Sequence, residues 1–180
     1  MSSEGHYIDN KLFYAEMVKW KRAWNKAKKA SQPLPPVTDY IGRCFLAIAE
    51  RLSYRPNFIN YPYREEMVGD GIENCLMYAA NFNPRKSKNP FSYFTQIIYY
   101  AFVRRIQKEK KQNYIKFKSI ELAQMTGKIP KWLSDAYHDE SKVQDFFKTL
   151  SLSELDIENF EGGKKVAKKQ KETKKKTKKK

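Results

Sequence analysis

Histidine and cysteine are scarce in this sequence, with two of each among 180 residues, and the scarcity narrows the chemistry open to it. Cys44 and Cys75 sit singly in apolar helical patterns, and His6 and His138 have no cysteine or histidine at ligand spacing. Neither a zinc site nor a disulfide framework is expected, and a reduced, cytoplasmic protein suits that cysteine usage. Glycine-rich phosphate loops and nucleophile elbows are also lacking. Catalysis, a cofactor and a bound metal are therefore not expected. No run of about 18 apolar residues occurs, so no membrane span is expected. The opening MSSEGHYIDN has neither the charged start nor the apolar stretch of a signal peptide.

Charge is abundant and uneven. The formal net charge is +16. Residues 164–180 hold 11 lysines against Glu172, or +10, which leaves 25 basic and 19 acidic residues, or +6, for the rest. The body is moderately basic, and a lysine tail that has no apolar surface to bury is expected to be disordered.

The hydrophobic pattern predicts an all-α protein. Residues 9–30 carry apolar positions at helical spacing, with Asp9 or Asn10 able to cap the start. "SQPLPPVTDY" ends that helix, because its prolines forbid continuation. Thr38 caps a second helix, Asp39 to Ser53, and "YRPNFINYPY" is a proline-bearing loop. A third helix is expected from Tyr63 to Asn81, with Met67, Val68, Ile72, Leu76, Met77 and Ala80 turned inward. Its Gly69 and Gly71 each cost up to about 1 kcal/mol against alanine, which suggests close packing or a distortion. A fourth helix is expected from Pro90 to Asn113. Short helices follow at Ile120–Met125, Lys131–Tyr137 and Ser141–Leu150.

The fourth helix, "NPFSYFTQIIYYAFVRRIQKEKKQ" (89–112), has two faces. Phe91, Phe94, Ile98, Phe102 and Arg105 follow an i, i+3, i+4 course, and the apolar four suffice for a core stripe. Tyr93, Tyr99 and Tyr100 lie largely off that stripe, with Arg104, Lys108, Lys110 and Lys111. Outer aromatics beside cations have the parts for base stacking and phosphate contact. Tyrosine suits such a place because its phenol end tolerates water when no nucleic acid is bound. Aromatics at this spacing also commonly belong to a core, and both readings stand at this point.

Residues 65–112 resemble the core-binding and promoter-melting regions of bacterial sigma factors. The matching pieces are Leu76-Met77, Ala79 to Phe82, Arg85 to Lys88, Phe91-Ser92-Tyr93-Phe94 and Arg104-Arg105. "IAERLSYRPNF", "DGIE", "NPFSYFTQ" and "AFVRRIQKEKK" bring the chain closer still to the late-transcription sigma factors of T-even-type bacteriophages. The likeness spans roughly residues 38–115. It implies a compact helical sigma region 2-like domain there, after an N-terminal helix and linker at 1–37. Short C-terminal helices would follow at 116–150, then a segment at 151–163 and the tail at 164–180.

The resemblance also implies partners. Glu66, Asp70, Glu73, Asn74 and Met77 would meet the β′ clamp coiled coil of bacterial core RNA polymerase. Tyr93, Ile97, Ile98, Tyr99, Tyr100, Arg104, Arg105, Lys108 and Lys111 would bind and open an AT-rich −10-type element of promoter DNA, whose flexible TA steps unstack easily. The chain departs from the family where primary sigma factors place a tryptophan pair, since it has Ile97-Ile98. The polar base-reading positions fall on Ala101 and Arg104. No helix-turn-helix pattern for an upstream element follows residue 115. "SLSELDIENFE" is similar to the short epitope by which late phage factors engage the DNA sliding clamp, with Leu152, Leu155, Ile157 and Phe160 as anchors; an ordinary amphipathic helix end fits it nearly as well. A coactivator and the cytoplasm of an infected bacterial host belong to the same implication. A general DNA- or RNA-binding protein, and a helical adaptor that touches no bases, are the competing readings.

Overall fold

The computed structural model describes residues 7–127 and 156–160, and every regular element among them is helical. Asp9 opens α1 (Asn10–Lys29) by accepting from the amides of Lys11 and Leu12 at 2.8 and 3.2 Å. The helix ends at Ala30, and Ser31 takes a left-handed φ of 53° to turn the chain into its prolines. Trp20 Nε1 donates to the Pro36 carbonyl at 2.9 Å, which ties that linker back onto α1. Thr38 caps α2 (Asp39–Ser53). Then come α3 (Arg64–Tyr78), a 3₁₀ turn at Ala79–Asn81, and α4 (Pro90–Met125). The expected short helix at 120–125 is the end of α4: no proline or glycine interrupts residues 91–126, and the helix runs on.

The chain divides into two compact units, 1–105 and 106–180. In the first, α1 shares one core with α2, α3 and the start of α4, although sequence set it apart as an N-terminal segment. Phe94 sits at the centre of that core, with its ring centroid 4.5 Å from Phe45 of α2, 5.8 Å from Phe13 of α1 and 6.0 Å from Phe82. All four rings are buried.

The phase of α3 differs from the sequence expectation. Its buried line is Met67, Gly71, Cys75 and then Ala79, whereas Leu76 and Met77 are exposed and Val68 and Ile72 are half-buried. The reason is proximity to α4. A Cβ placed on Gly71 would lie 3.0 Å from Ile98 Cγ2 and 3.1 Å from Phe102 Cε1, so small residues occupy the face that closes on α4. Gly69, by contrast, faces open space. Burial pushes the Cys75 thiol up to about 12, so at neutral pH it is a packed apolar group and no nucleophile.

The second unit is described by residues 106–127 of α4 and a single helical turn at 156–160. Lys110 Nζ meets Asp156 Oδ2 at 2.9 Å, and Phe160 stacks on Tyr114 at 5.3 Å with the rings 28° apart. The expected helices at 131–137 and 141–150, Leu152, Leu155 and the lysine tail lie outside the described residues.

Candidate nucleic-acid interface

The exposed positions of α4 in the first unit are Ser92, Gln96, Tyr99, Tyr100 and Arg104. They share one side because the opposite side, Phe94, Ile98, Ala101 and Phe102, is consumed by the core. Tyr99 is 41% exposed and Tyr100 53%. Their rings meet edge to face at 5.7 Å. The inner edge of Tyr99 rests on buried Phe58 at 5.6 Å, which fixes the ring without covering its outer face. An aromatic platform held by packing is suited to stacking an unpaired base, because little side-chain entropy remains to be lost. In the second unit, Lys108 and Lys111 are exposed, while Lys110 is paired with Asp156.

Several residues that the sequence offered for DNA contact do other things. Ile98 has no exposed surface and cannot act as a wedge at a strand fork; Ile97 is half-buried. Tyr93 is half-buried with its ring 5.3 Å from Phe82 and 5.0 Å from Phe94, and burial, with the neighbouring Cys75, raises its phenol pKa. It is a wall of the core. Ala101, a base-reading position in the resemblance, is buried. Arg105 is turned inward, with Nε 2.8 Å from Asp70 Oδ2 and a terminal nitrogen donating to Oδ1 at 3.3 Å. It is a strut between α4 and α3 instead of a phosphate contact.

That strut belongs to a polar seam. Arg104 donates to Asn74 Oδ1 at 2.6 Å, and Asn74 Nδ2 donates to the Asp70 carbonyl at 2.7 Å. Two of the five residues proposed for polymerase contact, Asp70 and Asn74, are thus engaged by the helix proposed for DNA contact. The other three, Glu66, Glu73 and Met77, are exposed on the outer side of α3, and Leu76 is exposed beside them. Acids interleaved with two large apolar side chains make that side an apt protein-binding face.

The seam yields a stability test. Asp70 and Arg105 retain 32% and 18% of their side-chain exposure. Removing either partner is expected to cost about 1–3 kcal/mol, below the range for fully buried pairs. Asp70→Ala with Arg105→Ala should cost less than the sum of the singles, with a coupling of about 1 kcal/mol in urea unfolding. Strict additivity would show that the two charges do not support each other.

Sequence reasoning passed over a second basic feature of this unit. A groove of about 600 Å³ runs between α1 and residues 80–85, lined by Lys21, Arg22, Asn25 and Arg85 among others. Lys21 donates to the Ala80 carbonyl and lies over the Trp24 ring at 4.3 Å. Burial, with Lys28 nearby, lowers its pKa. The signal was present as the basic spacing of α1, which read only as a solvated face.

Of the residues offered as clamp anchors, two are described. Ile157 is half-exposed, and Phe160 is engaged by Tyr114 of its own chain. No helix among the described residues is long and apolar enough to cross a membrane. No group of three or more histidine, cysteine or acidic side chains among them is placed to hold a metal ion. No protein-family model matches the chain, and no curated protein matches it in sequence.

Proposed function

We propose that this chain is a sigma-type initiation factor of a bacteriophage, which docks on bacterial core RNA polymerase through α3 and opens promoter DNA with α4. Glu66, Glu73 and Met77, joined by Leu76, meet the β′ clamp coiled coil. Tyr99 and Tyr100 hold unstacked bases of the non-template strand at an AT-rich −10-type element. Arg104, Lys108 and Lys111 contact phosphates. Leu152, Leu155, Ile157 and Phe160 form the sliding-clamp epitope, and Phe160 leaves Tyr114 when it engages. The protein works in the cytoplasm of the infected host.

One observation carries this reading. Two neighbouring helices present faces of different chemistry, acidic and apolar on α3 and aromatic and cationic on α4, and the Asp70–Arg105 and Asn74–Arg104 contacts fix them to each other. A factor that couples a polymerase to a melted strand needs two such faces on one rigid support. The lysine-rich segment at 164–180 favours a second reading, a general nucleic-acid binder whose affinity is electrostatic and falls steeply with salt.

Transcription distinguishes the two. Core polymerase freed of its own sigma factor is supplied with a template carrying a TATA-rich −10 element and no −35 element. Initiation at one position that depends on this protein is the expected result. Absence of initiation, even with sliding clamp and its loader added, together with retardation of DNA of any sequence, would establish the general binder.

A further inference from the structure

The segment that joins α2 to α3 was read from sequence as a proline-bearing loop and nothing more. From Arg51 to Arg64 it holds three arginines, three tyrosines and no acid; acids resume at Glu65 and Glu66, which bound the patch. Tyr54 is 59% exposed, Arg55 and Asn57 are exposed, and Arg64 lies over the Tyr54 ring at 4.3 Å. Such a guanidinium–ring stack keeps the in-plane N–H donors of the arginine available while fixing the aromatic ring. Tyr61 and Tyr63 pair at 5.3 Å close by in the chain.

Phe58 joins this loop to the tyrosines of α4. It is buried, with its ring 5.2 Å from Phe102 and 5.6 Å from Tyr99 in edge-to-face contacts. The backbone on either side of Phe58 is therefore held beside Tyr99. The amides of Phe58 and Ile59 both bond to the Arg55 carbonyl, at 2.8 and 2.9 Å, so the loop is an ordered turn.

We propose that the Arg51–Arg64 loop is a second contact surface for single-stranded nucleic acid, continuous with Tyr99 and Tyr100 through Phe58. This rests on the reading of α4 as a strand-binding helix. The occupant follows from charge and shape. Arginine without acids selects a polyanion, and tyrosine rings exposed at their faces select unpaired bases over a duplex, in which the bases are already stacked. Tyr54 supplies a stacking face and Arg55 a phosphate contact. A strand leaving Tyr100 thus finds further aromatic and cationic groups instead of bare solvent.

The test is fluorescence anisotropy of the full-length protein with labelled oligothymidylate, roughly 10–15 nucleotides long, and with a duplex of equal length. The double variant Tyr54→Ala, Arg55→Ala is expected to bind the single strand about five- to tenfold more weakly and the duplex unchanged. Arg55→Ala alone should lower the salt slope on the single strand by about 0.7. Both side chains are exposed, so circular dichroism should report an unaltered fold. Unchanged single-strand affinity in the double variant, or an equal loss on the duplex, overturns the proposal. Tyr100→Ala, run alongside, separates the two readings. If it weakens strand binding and the loop variant does not, the loop falls and α4 stands. If neither variant weakens binding, both fall.

Discussion

Phe94→Ala is expected to lower stability by about 3–5 kcal/mol, the range for deleting a fully buried phenyl ring. Domains of this kind carry about 5–15 kcal/mol in all, so the substitution removes a large share. The melting temperature followed by circular dichroism should fall by roughly 10–20 °C. The expectation rests on position more than on burial alone. The Phe94 ring touches those of Phe13, Phe45, Phe82 and Tyr93, which come from α1, α2, the turn after α3, and α4 itself. A cavity there opens against every helix-bearing wall, and no flexible neighbour can collapse into it, so the lost contacts stay lost. Phe94→Leu keeps most of the volume and should cost distinctly less. A Phe94→Ala protein that melts within a few degrees of the parent would show that the four rings do not form one core.

The same ring marks how far the sequence could be read. Its membership of a core stripe with Ile98 and Phe102 was legible, because an i, i+4, i+8 course of large apolar residues allows few other meanings. So were the bounds of α2, set by Thr38 and the prolines before it. The phase of α3 was not. A reading by hydrophobicity gives weight to Leu76 and Met77, the largest apolar residues there, and turns them inward. The fold uses Gly71, Cys75 and Ala79 instead, since a face that closes to 3.0 Å on α4 rewards smallness over apolarity. Nothing in one sequence declares which helix faces will meet that closely.

Long-range pairing was hidden for a related reason. Asp70 and Arg105 are 35 positions apart, and each looked like a surface charge in its own helix. Only the approach of α3 to α4 turns them into a strut. The continuation of α4 to Met125, by contrast, was available in the sequence: no proline or glycine stands between Pro90 and Gly127. The cations of the Arg51–Arg64 loop were available too, but the loop lacks a period, and periodicity was the guide. What the structure leaves exposed on α4 is a smaller set than the sequence offered, with Tyr99 and Tyr100 as its aromatic members.

Those two tyrosines therefore carry the largest expected functional effect. Replacing both with alanine should reduce promoter opening about 100-fold on a −10-only template. Each stacked base contributes about 1–3 kcal/mol, and each 1.4 kcal/mol is a factor of ten. Permanganate reactivity of unpaired thymines within the element reads the opening directly. Polymerase binding should be unaffected, because Glu66, Glu73 and Met77 lie on α3 and are untouched by the change. Stability should fall far less than for Phe94→Ala: Tyr100 is exposed and Tyr99 gives up one edge contact with Phe58. Tyr99→Phe with Tyr100→Phe keeps both rings and should retain most of the opening, which separates stacking from a hydrogen bond made by the phenol. Wild-type permanganate reactivity in the double alanine variant would exclude these rings from the melted strand. Loss of opening in the double phenylalanine variant as well would assign the work to the hydroxyls, and strand capture would then depend on hydrogen bonding to base edges or phosphates.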